Sequence, residues 1–413
     1  MGNALISRRG GGYATIKFEN YYTHSGIEHS DAPNLKVARQ RLSATTVGDY
    51  ALFGGGDENG YSNAIDVYNS RLVKGTASSL SAARNYIATT TVGNYALFGG
   101  GHAGSANQAS AYYSTVDVYN SNLVKSTATN LTHKPNHLAA TTVGNYALFA
   151  GGETYTSSSV SGDYIYLSTV DTYNSNLVKG TASSLSAARK YLAATTVRDY
   201  ALFGGGFYYD NNGNSTALST VDTYNSNLVK GIAPEFSVAR YVLAATTVGN
   251  YALFGGGSTI VSSSSSKVST VDAYSSSLTR SSPTGLSAAI DDLAATTVGD
   301  YALFGGEHNF SFIDTYTNNL VKGNAPELSV ARGNLAATTV GNYALFAGGY
   351  LSGYCNTVDA YYSSNTFDIM VYKNSKYKFQ NMEEEAMVTE NTKHITVPMP
   401  ITGYIKFKNT TIS

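Results

Sequence analysis

TTVGNYALFGGG, residues 90–101, is written seven times along this chain with few changes. The tyrosines that mark the copies are Tyr50, Tyr95, Tyr146, Tyr200, Tyr251, Tyr301 and Tyr343, spaced by 45, 51, 54, 51, 50 and 42 residues. A period near 50 residues is that of a four-stranded repeat unit. Working outward from the motif, each unit divides into four β-runs. The first is LAATTV, as at residues 138–143, whose small and β-branched residues suit a crowded inner strand. A Gly-Asn or Gly-Asp pair follows, the sign of a two-residue hairpin. The second run is YALF and ends in glycines. The middle glycine stands in all seven units, as Gly55, Gly100, Gly151, Gly205, Gly256, Gly306 and Gly348. The third carries Asp-x-Tyr, from Asp66 and Tyr68 through to Asp359 and Tyr361. The fourth is Leu-Val-Lys-Gly after an Asn-Ser turn, and a lead-in such as LSAAR at residues 80–84 enters the next unit.

Seven such units are expected to close into an all-β, seven-bladed β-propeller. The glycine pair after the second strand, the third-strand tyrosine and the lead-in arginine resemble the kelch family of propellers, over about residues 33–365. The chain departs from that family in having no Trp: Leu72, Leu123 and Leu177 stand where kelch blades usually carry one.

The lead-in arginine recurs as Arg39, Arg84, Arg189, Arg240 and Arg332. The third unit has Lys134-Pro135 there and the sixth has Ile290. Recurrence around a ring is read as structural, with hydrogen bonds between blades. The seven Asp-x-Tyr aspartates are read as turn caps rather than metal ligands. Arg198 replaces the hairpin glycine of the fourth unit, so this turn is either of another type or strained.

Two segments escape the repetition. One is the loop between the second and third strands, starting at Asp57, His102, Glu153, Phe207, Ser258, Glu307 and Tyr350. The other is the residue pair before each first strand: Gln40-Arg41, Asn85-Tyr86, Asn136-His137, Lys190-Tyr191, Tyr241-Val242, Asp291-Asp292 and Gly333-Asn334. Antiparallel strand order places both segments on one face and the tight hairpins on the other. Variation confined to one face of a repeat scaffold marks a binding surface. The residues expected to contact ligand are Arg41, Tyr61, Tyr86, Tyr113, His137, Tyr155, Tyr191, Tyr208, Tyr209, Asp292, Phe310, Asn334 and Tyr350. Tyrosines among Ser, Gly and Asn give rigid contact area with adaptable polar neighbours, and aromatic faces suit sugar rings. The serines at 262–266 read as a flexible tip.

Charged residues are only 13% of the 413 and the net charge is −1, so no general basic footprint for nucleic acid or anionic membrane exists. No stretch of 18 apolar residues is present, and residues 1–12 lack the apolar core of a secretory signal. Cys355 is the single cysteine, which excludes an intramolecular disulfide. Some kelch-like propellers are copper oxidases with a Cys–Tyr crosslink and paired histidines. Here the seven histidines form no close ligand pair, although His102, His137 and His308 fall in segments of the diversified face. Asp291-Asp292, the only adjacent acidic pair there, reads as a solvated edge. The expectation is therefore no metal, no cofactor and no catalysis.

The ends differ from the repeats. Residues 7–12 (SRRGGG) read as a basic arm and 13–20 (YATIKFEN) as a strand. After about residue 373 the runs 376–379, 393–397 and 404–408 read as short strands. The division expected is 1–32 for the arm and strand, 33–372 for the propeller, and 373–413 for a small β segment serving attachment or homo-oligomerisation. The opening MGNALISRRGGG and the closing KYKF…TGYIKF resemble the ends of tail-associated proteins of bacteriophages of Gram-positive hosts. That resemblance implies a virion protein released by lysis, recognising a host-surface glycan or protein or other virion proteins. The alternatives are an intracellular bacterial kelch scaffold with a protein partner and, third, a kelch-type oxidase or glycan-active enzyme.

Overall fold

The computed structural model describes residues 23–104, 108–156, 163–210, 212–370, 376–379, 385–387, 392–398 and 407–409. The basic arm and the strand read at 13–20 lie outside them. Two units are present: residues 29–362, and residues 1–28 with 363–413.

The first unit is a seven-bladed β-propeller. Its inner strands are Ser43–Val47, Ala88–Val92, Ala139–Val143, Ala193–Val197, Ala244–Val248, Ala294–Val298 and Ala336–Val340. Each packs beside the inner strands of both neighbours, and the first touches the seventh, so the ring closes. Blade two shows the standard order: Ala88–Val92, Tyr95–Gly99, Val116–Asn120 and the outer Lys125–Ala128, all antiparallel. In the seventh blade the outer position beside Val358–Met370 is taken by Thr23–Asp31, from the segment read as an N-terminal arm and strand. His29 of that strand bonds Asp359 at 2.9 Å, where Lys74 bonds Asp66 in blade one.

Blades are glued face to face by their second and third strands. Phe53 and Tyr68 of blade one are wholly buried in one cluster with Leu345, Val358 and Ala360 of blade seven. Phe53 and Tyr68 meet edge to face at 5.9 Å, and the Tyr68 hydroxyl donates to the Pro33 carbonyl at 2.7 Å. Each such aromatic contributes roughly 1.5–3 kcal/mol by burial. The middle glycine is required by a close approach: at Gly55, with φ +69°, a Cβ would lie 2.6 Å from the carbonyl oxygen of Arg84, in the lead-in to the next blade.

The lead-in arginines tie blades together. The Arg84 backbone bonds blade one, donating to Ser62 and accepting from Gly56. Its buried guanidinium enters blade two, donating to the Phe98 and Gly100 carbonyls and to Asp117 at 2.8 Å. The Asp-x-Tyr aspartates cap backbone, as read from the sequence, and also do more. They do accept lead-in backbone N–H groups, as Asp117 does from Ser81. Each is chiefly the buried hub of an ion pair: Asp66 with Arg39 and Lys74, Asp222 with Arg189 and Lys230, Asp359 with Arg332 and His29. Burial alone would raise the Asp117 pKa, but the Ser81 hydroxyl and the Arg84 and Lys125 charges outweigh it and hold the group below the usual range. Turn capping is shared by Asn69, Asn120, Asn174 and Asn225, whose side-chain oxygens accept N–H groups two and four residues on. The Leu at the expected Trp position closes these turns in left-handed backbone: φ is +58° at Leu72 and +60° at Leu123 and Leu177.

Arg198 adopts φ +52°, like Gly48 (+54°) and Gly93 (+55°) in the equivalent turns. The turn type is kept and the arginine is strained.

In the second unit, residues 364–370 pair antiparallel with Thr392–Pro398. Lys376–Phe379 pairs with Glu385–Met387 and Phe407–Asn409.

Candidate functional site: the mouth of the looped face

The residue pairs that break the repeat converge on the propeller axis. The second member of each pair, namely Arg41, Tyr86, His137, Tyr191, Val242, Asp292 and Asn334, has φ between +50° and +57°. The left-handed turn swings each side chain over the inner end of its strand. Backbone bonds run around the ring: Arg41 N–H donates to Asn334 O, Asn334 to Asp292 O, Val242 to Tyr191 O and Tyr191 to His137 O. A non-glycine residue at such a φ costs on the order of 1 kcal/mol. Seven of them in one ring mark a geometry that the scaffold imposes.

These seven residues form the rim of a cavity of about 350 Å³ that is lined also by Leu42, Ile87, Leu138, Leu192, Leu243, Leu293 and Leu335. Further along the inner strands a second cavity, about 520 Å³, is lined by fourteen threonines, two per blade. Their hydroxyls close a hydrogen-bonded ring through all seven blades. The second threonine of a pair donates to the carbonyl of its counterpart in the adjacent blade, as Thr91 does to Thr46 O. It therefore accepts from the first threonine of that blade, as Thr91 does from Thr45 at 2.9 Å. The last step, from Thr338 to Thr46, is 2.9 Å.

One side of the mouth is aromatic. Tyr86 is flanked by the Arg41 guanidinium, 5.1 Å from its centroid, and by the His137 ring at 3.8 Å. His137 lies 4.1 Å from Tyr191, whose ring also carries Lys190 Nζ at 5.0 Å. The rings of Tyr86 and Tyr191 are turned to these protein neighbours. Among the described residues their hydroxyls have no protein partner, and both residues line the cavity. Burial lowers the His137 pKa from 6.5 to about 4, against the opposing pull of Glu153, so the ring is neutral at pH 7. Its Nδ1 lies 3.6 Å from Glu153 Oε1, and neither ring nitrogen finds a hydrogen-bond partner.

The other side is polar. Arg41 donates to Asp57 at 3.0 Å, and Asn334 Nδ2 donates weakly to Asp292 at 3.4 Å. Burial, with Asp291 next to it, raises the Asp292 pKa. The expectation of a solvated acidic edge is corrected: Asp292 faces the mouth, and Asp291 is held by Lys267 at 3.0 Å and by the Ser258 hydroxyl.

A second tier stands behind the rim. Gln40, Asn85, Asn136, Lys190, Tyr241 and Gly333 bridge antiparallel to Asp57, His102, Glu153, Phe207, Ser258 and Tyr350. This pairing fixes both diversified segments on the same face. Most of the longer loops then rise as small hairpins, such as Glu153–Thr156 with Asp163–Tyr166 and Phe207–Tyr209 with Ser215–Ala217. The serine run corrects the expected flexible tip: Ser262 and Ser263 make a turn with φ +48° and +65°, and Ser264–Lys267 pairs with Ser258–Val261.

Of the residues expected to bind, Arg41, Tyr86, His137, Tyr191, Asp292 and Asn334 meet in the mouth. Tyr61, Tyr155, Tyr208, Tyr209, Phe310 and Tyr350 stand further out on the same face. Tyr209 and Phe310 are exposed, while the Tyr61 hydroxyl is tied to the Gly104 carbonyl at 2.9 Å. Tyr113 is half-buried, with its ring 5.9 Å from the Arg84 guanidinium. Val242 completes the rim but was passed over, being neither polar nor aromatic. Its signal was positional, since it occupies the slot of Tyr191. Among the described residues no three His, Cys, Asp or Glu side chains gather as a metal site.

No family model matches the chain, and no curated protein matches it. Among solved structures the chain is similar to that of YjhT, with a TM-score of 0.50 and 10% identity over 71% of this chain and 97% of that one. The likeness is one of fold. At that identity it carries nothing about ligand.

Proposed function

We propose that this chain is a kelch-type propeller acting as a non-enzymatic binding protein. In this reading it is a bacteriophage tail component whose looped face recognises a host-surface glycan or protein. The observation that carries the reading is the convergence of seven non-repeating side chains on one axial mouth, over a scaffold that is otherwise monotonous. Exposed aromatics further out, Tyr164, Tyr209, Phe310 and Tyr354, extend the contact area beyond the cavity. The glycine, tyrosine and arginine signature supports the kelch assignment, and the resemblance of the two ends to tail-associated proteins supports the context. Retention of the purified chain on isolated Gram-positive cell walls, set against pull-down from lysate, tests the function. Wall retention that falls when Tyr86, Tyr191 and Tyr208 are replaced by Ala is the expected result. Retention only by a soluble intracellular protein favours the scaffold reading.

A further inference from the structure

We propose that the mouth takes a ligand bearing a positively charged primary amine. Resting on the glycan reading above, we assign that amine to an unacetylated amino sugar.

The argument begins with unequal pairing of carboxylates. In the mouth and the tier behind it stand two cations, Arg41 and Lys190, and five carboxylates: Asp57, Glu153, Asp291, Asp292 and Glu307. Four of the five are matched: Asp57 by Arg41 at 3.0 Å, Glu153 by Lys190 at 2.8 Å, and Asp291 and Glu307 by the loop residue Lys267 at 3.0 and 2.9 Å. Asp292 is the exception. Its one protein partner is the Asn334 amide at 3.4 Å, and among the described residues no cation lies within ion-pair distance. A carboxylate drawn out of water without a counter-charge is costly, and the cost is relieved when a cation arrives. Burial, with Asp291 next to it, raises the Asp292 pKa in spite of the opposing pull of His308, Arg41 and Lys267 from beyond ion-pair distance.

The surroundings narrow what the cation is attached to. An ammonium group has three donors; besides Asp292, the cavity lining offers the Tyr86 and Tyr191 hydroxyls across the mouth and the Asn334 side-chain carbonyl, all able to accept, while the one cation of the lining, Arg41, is engaged by Asp57 at 3.0 Å. The same hydroxyls and amide can exchange hydrogen bonds with ring hydroxyls. The leucines and Ile87 that also line the cavity, though largely packed into the blade cores, contribute apolar atoms for the C–H face of a pyranose. An anionic sugar or phosphate would meet the carboxylate surplus and be repelled. A fully acetylated sugar would leave Asp292 without its partner.

The test uses the full chain and two probes, a chitosan tetramer and its fully acetylated chitin counterpart, titrated calorimetrically at a pH where the free amine is protonated. The expected result is chitosan binding at least about tenfold tighter, a preference abolished by Asp292→Asn. As a check independent of any variant, raising salt should weaken the wild-type protein's binding of chitosan while leaving chitin binding little changed, because only the former includes a charge pair. Equal affinity for the two tetramers, or a preference that survives Asp292→Asn, overturns the amine while leaving a glycan reading in place. Binding of neither tetramer removes the amine proposal and counts against the glycan reading as well.

Discussion

The Arg84 guanidinium meets the Asp117 carboxylate at 2.8 Å with neither side chain exposed to solvent. The backbone of that arginine belongs to the junction with blade one and its side chain to blade two, so one residue couples two blades. Blade three lacks it: Pro135 stands in the arginine position, and among the described residues Lys179 at 3.0 Å is the only cation on Asp171.

A comparison of lysines follows. Lys125→Met leaves Asp117 with Arg84 and should cost about 1 kcal/mol. Lys179→Met leaves Asp171 with no cation and should cost roughly 2–3 kcal/mol. Chemical denaturation of both variants measures the difference. Equal losses would show that the aspartate does not depend on its charge partners.

Arg198 occupies a position that the other six hairpins give to glycine, at φ +52°. Arg198→Gly relieves the backbone at the expense of one exposed hydrogen bond to Asn250. Net stabilisation of about 1 kcal/mol is expected, read as a rise in denaturation midpoint. A fall in midpoint would mean that the arginine contributes more than its backbone costs.

The strand Thr23–Asp31 supplies the outer edge of blade seven. Removing residues 1–31 takes away its ladder and the His29 partner of Asp359. The truncated chain should lose more than about 3 kcal/mol and should exchange the amide hydrogens of blade seven faster than those of blades two to six. Uniform exchange at unchanged stability would contradict this closure.

Acid should find His137. Its folded pKa of about 4 lies below the ordinary 6.5, so the unfolded chain takes up the proton first. Stability is then lost as pH falls from about 6.5 toward 4, by at most roughly 3 kcal/mol. Glu153, whose pKa is held below 4.5, keeps its contribution through most of that window. His137→Asn removes the titration and tolerates the left-handed backbone, so its stability should fall less steeply than that of the wild type between pH 6.5 and 4.5. Parallel curves would show that His137 does not titrate there.

The repeat made the fold legible, because identical strand sequences force identical blades and only the closing strand lacked a signal. Thr23–Asp31 shares no motif with Leu-Val-Lys-Gly, and its partnership depends on long-range pairing that periodicity does not report. The mouth was legible for a related reason: positions such as Tyr86 and Asn334 stand out against a constant background. What sequence concealed was orientation. Nothing in the string distinguishes Tyr113, which covers a buried arginine, from Tyr209, which faces solvent. Likewise the aspartates and arginines are 27–33 residues apart in the chain and meet only through blade geometry.

The claim on which the account rests is that one face binds and the other does not. Quantitative retention on Gram-positive cell walls should be compared for two sets of full-length variants. One set alters the mouth, with Tyr86→Ala and Asn334→Ala together; the other alters the opposite hairpins, with Asn94→Ser and Asp300→Ser together. The account predicts at least a tenfold loss of retention for the mouth variants and none for the hairpin variants. Equal retention by both would contradict it.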